Sequence, residues 1–308
     1  MEWGALVNTE KPDPRRRAFV KALAAAASVG ALGVHAGMAP TASLPTSGWP
    51  VWLLQSGGSK IYLMGETPPR ATDWHDAHIE QLFGTCASLW TETNQVYREP
   101  QDSLMHRFAM DSKRPLSRWL SAEDQERLRA AAAYCKLDPR DLEPYRPWCA
   151  ASLLQDTYYT VSGAKGASAD HVLRTQASRS RRPTFSEFPV KDDVFAWFAR
   201  MTPAQEVQFL RYTLDEILVG PRAGALIYDD WAAGKIERAT AEVARFSSAY
   251  PDLAPILTSQ RNQRWLPRFK SMFGSAGIPM VVVGLYHMVG PEGLLAMIQR
   301  QGVSISRA

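Results

Sequence analysis

The sequence lacks most of the short signatures by which enzyme classes are recognised. Its three cysteines, Cys86, Cys135 and Cys149, form no CxxC pair, which excludes a zinc knuckle and a thioredoxin-type site. There is no Gly-x-Ser-x-Gly nucleophile elbow. There is also no glycine-rich phosphate loop, because residues 56–59 are better explained as a hairpin turn. Cys135 and Cys149 are close enough in sequence to form a disulfide in an oxidising compartment, and the sequence leaves that pairing open.

The first 36 residues resemble a twin-arginine export signal. Arginines 15–17 and Lys21 precede an apolar segment at 22–34, which is too short and too rich in Ala and Gly to span a bilayer stably. Small residues around Ala36 predict cleavage there, and no cysteine follows that would carry a lipid anchor. We therefore expect a periplasmic or secreted protein without a stable transmembrane segment after cleavage. The alternative is an uncleaved amphipathic first helix.

The charge balance gives little reason to expect a nucleic-acid partner. The chain has 35 Lys and Arg against 31 Asp and Glu, a net charge of +4. Its first 36 residues hold five of the basic and three of the acidic residues, so the remainder carries 30 against 28 and a net charge of +2. Part of the basic character therefore belongs to the export segment. The partner we expect is a peptide or a small molecule, with no nucleic acid.

The remaining chain predicts one α/β domain over residues 49–308, after a Pro-rich linker at 37–48. Two β-rich runs on either side of a glycine pair predict an N-terminal hairpin. Helical spacing dominates much of residues 101–275. An arginine-rich stretch at 174–182 is typical of a solvated face, with a functional anion patch as the alternative. We expect a central mixed sheet of few strands, flanking helices and a large helical insert over about 101–275.

The most informative stretch lies near the end of the chain. An apolar run rich in β-branched residues stops at Gly284, and His287 follows three residues later. Gly290 and Pro291 suit the N-cap and first position of a helix running to about Gln301. His287 is thus predicted on a strand-to-helix loop at the carboxyl end of a buried strand, where open α/β sheets hold ligands. It is either a ligand or general base, or a polar residue that caps the next helix.

Four segments with a recognisable order carry a family resemblance. They are Tyr62-Leu63-Met64-Gly65-Glu66-Thr67-Pro68, then Glu92-Thr93, then Arg261-Asn262 with Trp265, and finally Val283-Gly284-Leu285-Tyr286-His287-Met288-Val289-Gly290-Pro291-Glu292-Gly293-Leu294. Together they resemble the TraB/GumN family, which is related to the Tiki proteases and more distantly to the ChaN and erythromycin-esterase group. The resemblance implies that the strands ending at Gly65 and Gly284 lie close together, so that the loops after them share one cleft.

The resemblance also implies a set of site residues. In Tiki-like proteins two histidines and a glutamate are thought to organise a divalent metal for peptide cleavage. Carried over to this chain, Glu92 and His287 are the metal-binding and catalytic candidates, with Arg261 beside them. Glu92 has a second interpretation as a buried structural partner of Arg261. Glu187 roughly matches a Leu-Glu-Thr segment of the family and ranks below Glu92.

One departure from the family pattern concerns the first Gly-x-x-His motif. Pro68 stands where the family has histidine, and proline provides neither a side-chain donor nor a backbone N–H. A metal would then need a substitute ligand from the same region, for which Glu66, His75 and His78 are the candidates.

Two functions of different classes follow from this pattern. The first is a divalent-metal-assisted hydrolase, using Mn, Co or Zn, that acts on peptides or similar acyl substrates. The second is a non-catalytic binding or regulatory module that keeps the fold and has lost a metal ligand at Pro68. Glu66 or His75 within ligand reach of His287 would favour the enzyme, whereas a cleft holding only Glu92 and His287 would make tight metal binding doubtful.

Overall fold

The computed structural model describes residues 48–308, so the predicted signal peptide and nearly all of the linker lie outside the described residues. Six strands form one mixed sheet: β1 (Val51–Ser56), β2 (Ser59–Glu66), β3 (Ser88–Thr93), β4 (Thr184–Phe188), β5 (Pro279–Gly284) and β6 (Ser304–Arg307). Their order across the sheet is β4-β3-β5-β2-β1-β6. The first four in that order are parallel, and β1 pairs antiparallel with both β2 and β6. The predicted α/β class with an N-terminal hairpin is confirmed.

Helices make up most of the rest of the described chain. In chain order they are α1 (Ala77–Gly84), α2 (Gln101–Leu104), α3 (Ala122–Tyr134), α4 (Pro147–Val161), α5 (Ala169–Arg179), α6 (Lys191–Ala199), α7 (Pro203–Val219), α8 (Pro221–Ala232), α9 (Glu237–Ala249), α10 (Ala254–Leu257), α11 (Ser259–Phe273), α12 (Leu285–Met288) and α13 (Leu294–Gln299). A π turn at Met105–Ala109 and two 3₁₀ turns, Leu116–Trp119 and Pro139–Leu142, complete the set. Within residues 48–308, no helix combines the length and apolar character that a membrane crossing requires.

Local sequence signals explain where several helices begin. The Thr202 hydroxyl oxygen caps α7 by accepting from the Gln205 backbone N–H, and the Gln205 side-chain oxygen accepts from the Thr202 backbone N–H, which completes a capping box. Pro203 occupies the first turn, where its missing N–H costs nothing. Ser121 caps α3 in the same way, by accepting from the Asp124 N–H.

The strands β2 and β5 lie side by side in parallel, with Glu66 opposite Gly284. This confirms the prediction that the two glycine-terminated strands meet. Gly65 is required by close approach, because a Cβ there would lie 2.4 Å from the Trp231 ring. The Gly65 carbonyl accepts hydrogen bonds from the indoles of Trp49 and Trp231, at 2.9 and 3.0 Å. These contacts fix the end of β2 against α8.

Two strands were not predicted from the sequence. β4 lies inside the range 101–275, which was predicted to be helical, and β6 is the last element of the chain. β4 is formed by parallel pairing with β3 over Leu89–Thr93, a long-range interaction that leaves no local signal. β6 is short and mostly exposed, and its pairing with β1 defines it.

The surroundings of His287 also differ from the prediction. His287 lies within the single-turn helix α12, directly after β5, instead of on a loop, and its side chain is buried. The next helix begins at Leu294, so Gly290 and Pro291 do not start it. Gly290 has φ of 86°, a left-handed conformation that turns the chain, whereas an N-cap residue takes an extended φ.

The three cysteines are buried free thiols. The disulfide between Cys135 and Cys149 is therefore not formed. The Cys135 thiol donates to the Leu154 carbonyl at 3.7 Å, and burial raises the pKa of Cys135 to about 12. Burial also raises the pKa of Cys149, so both groups stay protonated and unreactive.

Candidate functional site

Three parallel strands each carry a glutamate at the carboxyl end, so the three side chains lie along one edge of the sheet. Glu66 is the last residue of β2, while Glu92 and Glu187 are the penultimate residues of β3 and β4. β5 ends at the same edge with Gly284 and leads directly into α12. All three glutamates are buried. This edge is the position at which open α/β sheets bind ligands.

Arg261, near the start of α11, joins two of these glutamates. Its Nη2 atom lies 2.7 Å from Glu92 Oε2 and 2.6 Å from Glu187 Oε2, and its Nε donates to Glu187 Oε2 at 3.1 Å. Burial lowers the pKa of Arg261, but the charges of Glu187 and Glu92 outweigh that effect and raise it above its ordinary value. The guanidinium therefore stays charged, and its role is electrostatic and structural.

Asn262 fixes the tautomer of His287. The Asn262 Nδ2 group donates to the carbonyls of Glu292 at 2.7 Å and His287 at 3.3 Å. Because carbonyls only accept, the amide nitrogen faces them and the amide oxygen faces the imidazole, 2.7 Å from His287 Nδ1. Nδ1 must therefore carry the proton, and the lone pair lies on Nε2.

The Nε2 atom of His287 is the chemically unusual atom of the site. It is buried, it has no hydrogen-bond partner among residues 48–308, and it lies 3.7 Å from Glu92 Oε1. That oxygen accepts from the Gly284 backbone N–H at 2.5 Å. Burial, followed by the charge of Arg261, lowers the pKa of His287 to about 3. Two acceptors thus face each other, and the imidazole is neutral at physiological pH.

Glu66 is present at the same edge but in a different chemical state. Its Oε2 atom accepts from the Asp170 backbone N–H at 2.9 Å. Burial, followed by the charge of Asp170, raises the pKa of Glu66 well above its ordinary value, and the charge of Glu92 adds to the effect. This shift favours the protonated form of Glu66, which suits a proton donor better than a metal ligand.

Two cations at this edge were missed by the sequence analysis. Arg174 pairs with Asp170 at 2.6 Å and donates to the Thr91 hydroxyl, although its stretch was predicted to be a solvated face. Lys191, the first residue of α6, is buried, and its Nζ lies 3.4 Å from Thr93 Oγ1. Burial lowers the pKa of Lys191 to about 8. Neither residue carries a local signal, since packing of helices at the strand ends puts them there.

The two other candidate ligands point elsewhere. His75 is exposed, and its Nδ1 lies 2.5 Å from Glu80 Oε1. His78, on α1, has its Nε2 3.3 Å from the carbonyl of Ala308. Both make their contacts at α1 and the chain terminus, so neither supplies the donor that is missing at Pro68.

One of the comparisons with known proteins gave a match. The family model described as the TraB/PrgY/gumN family matches residues 50–307. The chain belongs to the TraB/PrgY/gumN family. Comparisons with curated proteins and with solved structures gave no match. The matched range contains all six strands and every site residue described above, which confirms the resemblance inferred from the motifs.

The resemblance to the TraB/PrgY/gumN family implies a divalent metal, and the donor atoms at the site decide whether such an ion would fit. His287 Nε2 and Glu92 Oε1 are two converging donors, but Arg261 engages the other oxygen of Glu92. Burial and the charge of Asp170 raise the pKa of Glu66, which disfavours the ionised form that a metal ligand needs. Among residues 48–308, no three His, Cys, Asp or Glu side chains are arranged to hold a metal ion. This donor set does not fit a tightly bound divalent ion, for which three protein ligands are usual.

Proposed function

We propose that this TraB/PrgY/gumN family member is a hydrolase of peptides or similar small acyl substrates, in which His287 and Glu92 activate water without a resident metal. One observation carries the proposal. The buried Nε2 atom of His287 has a lone pair and no hydrogen-bond partner within the described part of the chain, and a carboxylate oxygen lies 3.7 Å away. An unpaired buried acceptor costs about 1–3 kcal/mol, so its retention calls for a functional reason.

A water molecule beside the two acceptors could donate one hydrogen to each, at an angle narrower than the ideal because the acceptors lie only 3.7 Å apart. Its oxygen lone pairs would then face away from the pair, toward a substrate carbonyl carbon. As the water oxygen bonds to that carbon, its proton passes to His287 Nε2, and the scissile bond to the leaving group breaks afterwards. The leaving group takes up a proton from the imidazolium or from the neutral carboxyl of Glu66, so the site returns to its starting state once protons re-equilibrate.

The environment of His287 explains how a weak base can serve here. Burial and the charge of Arg261 oppose protonation of the His287 imidazole. The imidazolium that forms during reaction is stabilised by the Glu92 carboxylate, which Arg261 and the Gly284 N–H hold in place. Asn262 keeps Nδ1 protonated throughout. Water activation therefore depends on the pair and not on His287 alone.

A second candidate function is the non-catalytic binding or regulatory module. It is favoured by the ion-pair arrangement, because Arg261 neutralises Glu92 and Glu187 inside the protein, as a structural cluster would. Pro68 in place of the family histidine favours it as well. Under this alternative the unpaired Nε2 is a remnant of an ancestral site.

Hydrolysis assays on the full chain distinguish the two candidates. We expect wild type to cleave fluorogenic peptides or p-nitrophenyl esters, and His287→Gln and Glu92→Gln each to lower the rate by about 10²-fold or more. His78→Gln, whose contacts lie at the chain terminus, is the matched control and should retain the wild-type rate. Equal rates in wild type and both site variants would contradict the hydrolase proposal, and no hydrolysis by wild type above the buffer rate would support the binding module.

We also infer that the protein acts outside the cytoplasm, in the periplasm or after secretion, and is exported by the twin-arginine route. The support is the sequence of the first 36 residues, in which arginines 15–17 precede Phe19, Val20 and Lys21 and a short apolar segment.

A further inference from the structure

A cavity of about 280 Å³ opens between α7, α8 and α9. Its apolar lining includes Val219 and Ile227, and its polar lining includes Glu216, Glu242 and Tyr286. Tyr286 belongs to α12 and directly precedes His287, but it faces this cavity instead of the glutamates at the strand ends. The volume lies just below the usual range of about 300–1,000 Å³ for ligand pockets, so the cavity suits a small molecule.

Glu216 is a buried carboxyl group without a counterion. Its Oε1 atom accepts from the Tyr212 hydroxyl at 2.5 Å, and its Oε2 atom accepts from Gln155 at 3.4 Å. Among the side chains of residues 48–308, no Lys, Arg or His forms an ion pair with it. Arg245, which also lines the cavity, is already held by Glu242 at 2.5 and 2.8 Å. The cavity therefore offers an uncompensated carboxyl group to whatever enters.

A second observation concerns the Tyr286 hydroxyl. The residue is 6% exposed, it lines the cavity, and its hydroxyl has no hydrogen-bond partner in the part of the chain that the structure describes. A polar interaction with the Tyr228 side chain lowers the pKa of Tyr286 against the larger effect of burial, but within residues 48–308 neither hydroxyl has a partner at full hydrogen-bond geometry. A buried hydroxyl without a partner is the exception in folded proteins, and a ligand group would supply what it lacks.

We propose that this cavity binds a small molecule that carries a protonated amine on an apolar body. The ammonium group would pair with the Glu216 carboxylate and donate to the Tyr286 hydroxyl oxygen. The apolar body would pack on Val219 and Ile227. An anion is disfavoured, because the lining carries Asp215, Glu216 and Glu242 against the single arginine that Glu242 already holds.

Protonation of Glu216 connects this site to pH. Burial raises the pKa of Glu216 to about 8, the nearby Glu242 raises it further, and Tyr212, Arg245 and Gln155 oppose the increase. Other titratable groups around it are the phenols of Tyr158, Tyr159, Tyr228 and Tyr286, and Asp215 lines the same cavity. A cation binds the ionised carboxylate, so below pH 8 binding must expel a proton and becomes weaker.

Calorimetric titration of the full chain with n-hexylamine from pH 6 to pH 9 tests this site. We expect the affinity of wild type to fall about tenfold for each pH unit below 8, with proton release on binding. Hexan-1-ol, which has the same alkyl chain without the charge, should bind more weakly and without a pH dependence. Glu216→Gln should weaken hexylamine binding at pH 9 at least tenfold and abolish the pH dependence, since Gln keeps an acceptor for Tyr212 and preserves the fold.

Glu237→Gln removes an exposed carboxylate from α9 outside the cavity lining and should bind hexylamine as wild type does. Three results would overturn the proposal. They are equal hexylamine affinity in wild type and Glu216→Gln at pH 9, tighter binding of hexanoate than of hexylamine, and no hexylamine binding at millimolar concentration. The pH dependence and the comparison with hexan-1-ol use wild type alone, so the test does not depend on any variant folding. The proposal is also independent of the hydrolase assay, because its readout is binding.

Discussion

At the scale of single residues, the site depends on an imidazole whose protonation is unfavourable in the folded protein. His287 has a pKa of about 3 when folded and about 6.5 when unfolded. Between these values the unfolded chain binds one more proton than the folded chain. The contribution of His287 is therefore neutral above pH 6.5, and it destabilises the fold progressively as the pH falls below 6.5.

His287→Gln should remove this acid sensitivity. Relative to the variant, wild type should lose up to about 1.4 kcal/mol of unfolding free energy for each pH unit between 6.5 and 5. Urea unfolding at pH 7.5, 6.5, 5.8 and 5.0 measures the difference, in which the contributions of all other groups cancel. Parallel pH dependences for the two proteins would show that His287 is protonated in the fold or is open to water.

Arg261 stabilises the folded state, because its positive charge compensates two buried carboxylates. Arg261→Met should destabilise the fold by about 3–5 kcal/mol, since Glu92 and Glu187 would remain buried without their cation. Arg264→Met is the matched control on the same helix. Arg264 is partly exposed and lies 3.7 Å from Glu187, so its loss should cost less than about 1 kcal/mol. Similar losses for both variants would contradict the assignment of Arg261 as the central counterion.

At the scale of secondary-structure elements, the end of β2 packs closely against α8 because Gly65 has no side chain. Gly65→Ala should destabilise the fold by about 1–3 kcal/mol or more, because the new Cβ would lie 2.4 Å from the Trp231 ring and 3.0 Å from the Leu285 Cα atom. Gly84→Ala is the control, since nothing lies within 4 Å of its added Cβ and alanine favours the helix that it ends. Thermal unfolding of both variants measures the difference, and equal midpoints would contradict close packing of α8 on β2.

The elements that the sequence predicts well are those with a strong local pattern. The hairpin of β1 and β2, the apolar strand β5 and the capped helix α7 all carry turn, run or cap signals. β4 and α12 carry none. β4 needs β3 as its partner, and α12 is a single turn between β5 and the left-handed Gly290. Their formation is decided by tertiary contacts, which outweigh local propensity.

At the scale of the whole molecule, the topology assembles a site that the sequence shows only in part. Glu92, His287 and Arg261 were predicted to lie together, and the structure brings them into contact. Arg174 lies in a stretch whose sequence is typical of a solvated face, and Lys191 begins an apolar helix whose sequence carries no signal of a site. The two cations reach the ends of the strands only because α5 and α6 pack at the ends of β3 and β4. The charge balance of the site is thus a property of the fold.

The proposed export by the twin-arginine route concerns the whole chain. Replacing Arg16 and Arg17 with Lys should leave full-length precursor inside the cell, because twin-arginine recognition requires the arginine pair. Fractionation and N-terminal sequencing measure the outcome, with cleavage expected after Ala36 in wild type. Unchanged export of the double-lysine variant would exclude this route.

The central claim is that His287 and Glu92 act as a water-activating pair without a resident metal. Elemental analysis of the purified full chain, combined with hydrolysis rates before and after chelation, tests it most directly. We predict much less than one Mn, Co or Zn ion per chain and a rate that survives chelation but is lost in His287→Gln. One bound metal ion per chain, removed by chelation together with the activity and absent from His287→Gln, would contradict the account.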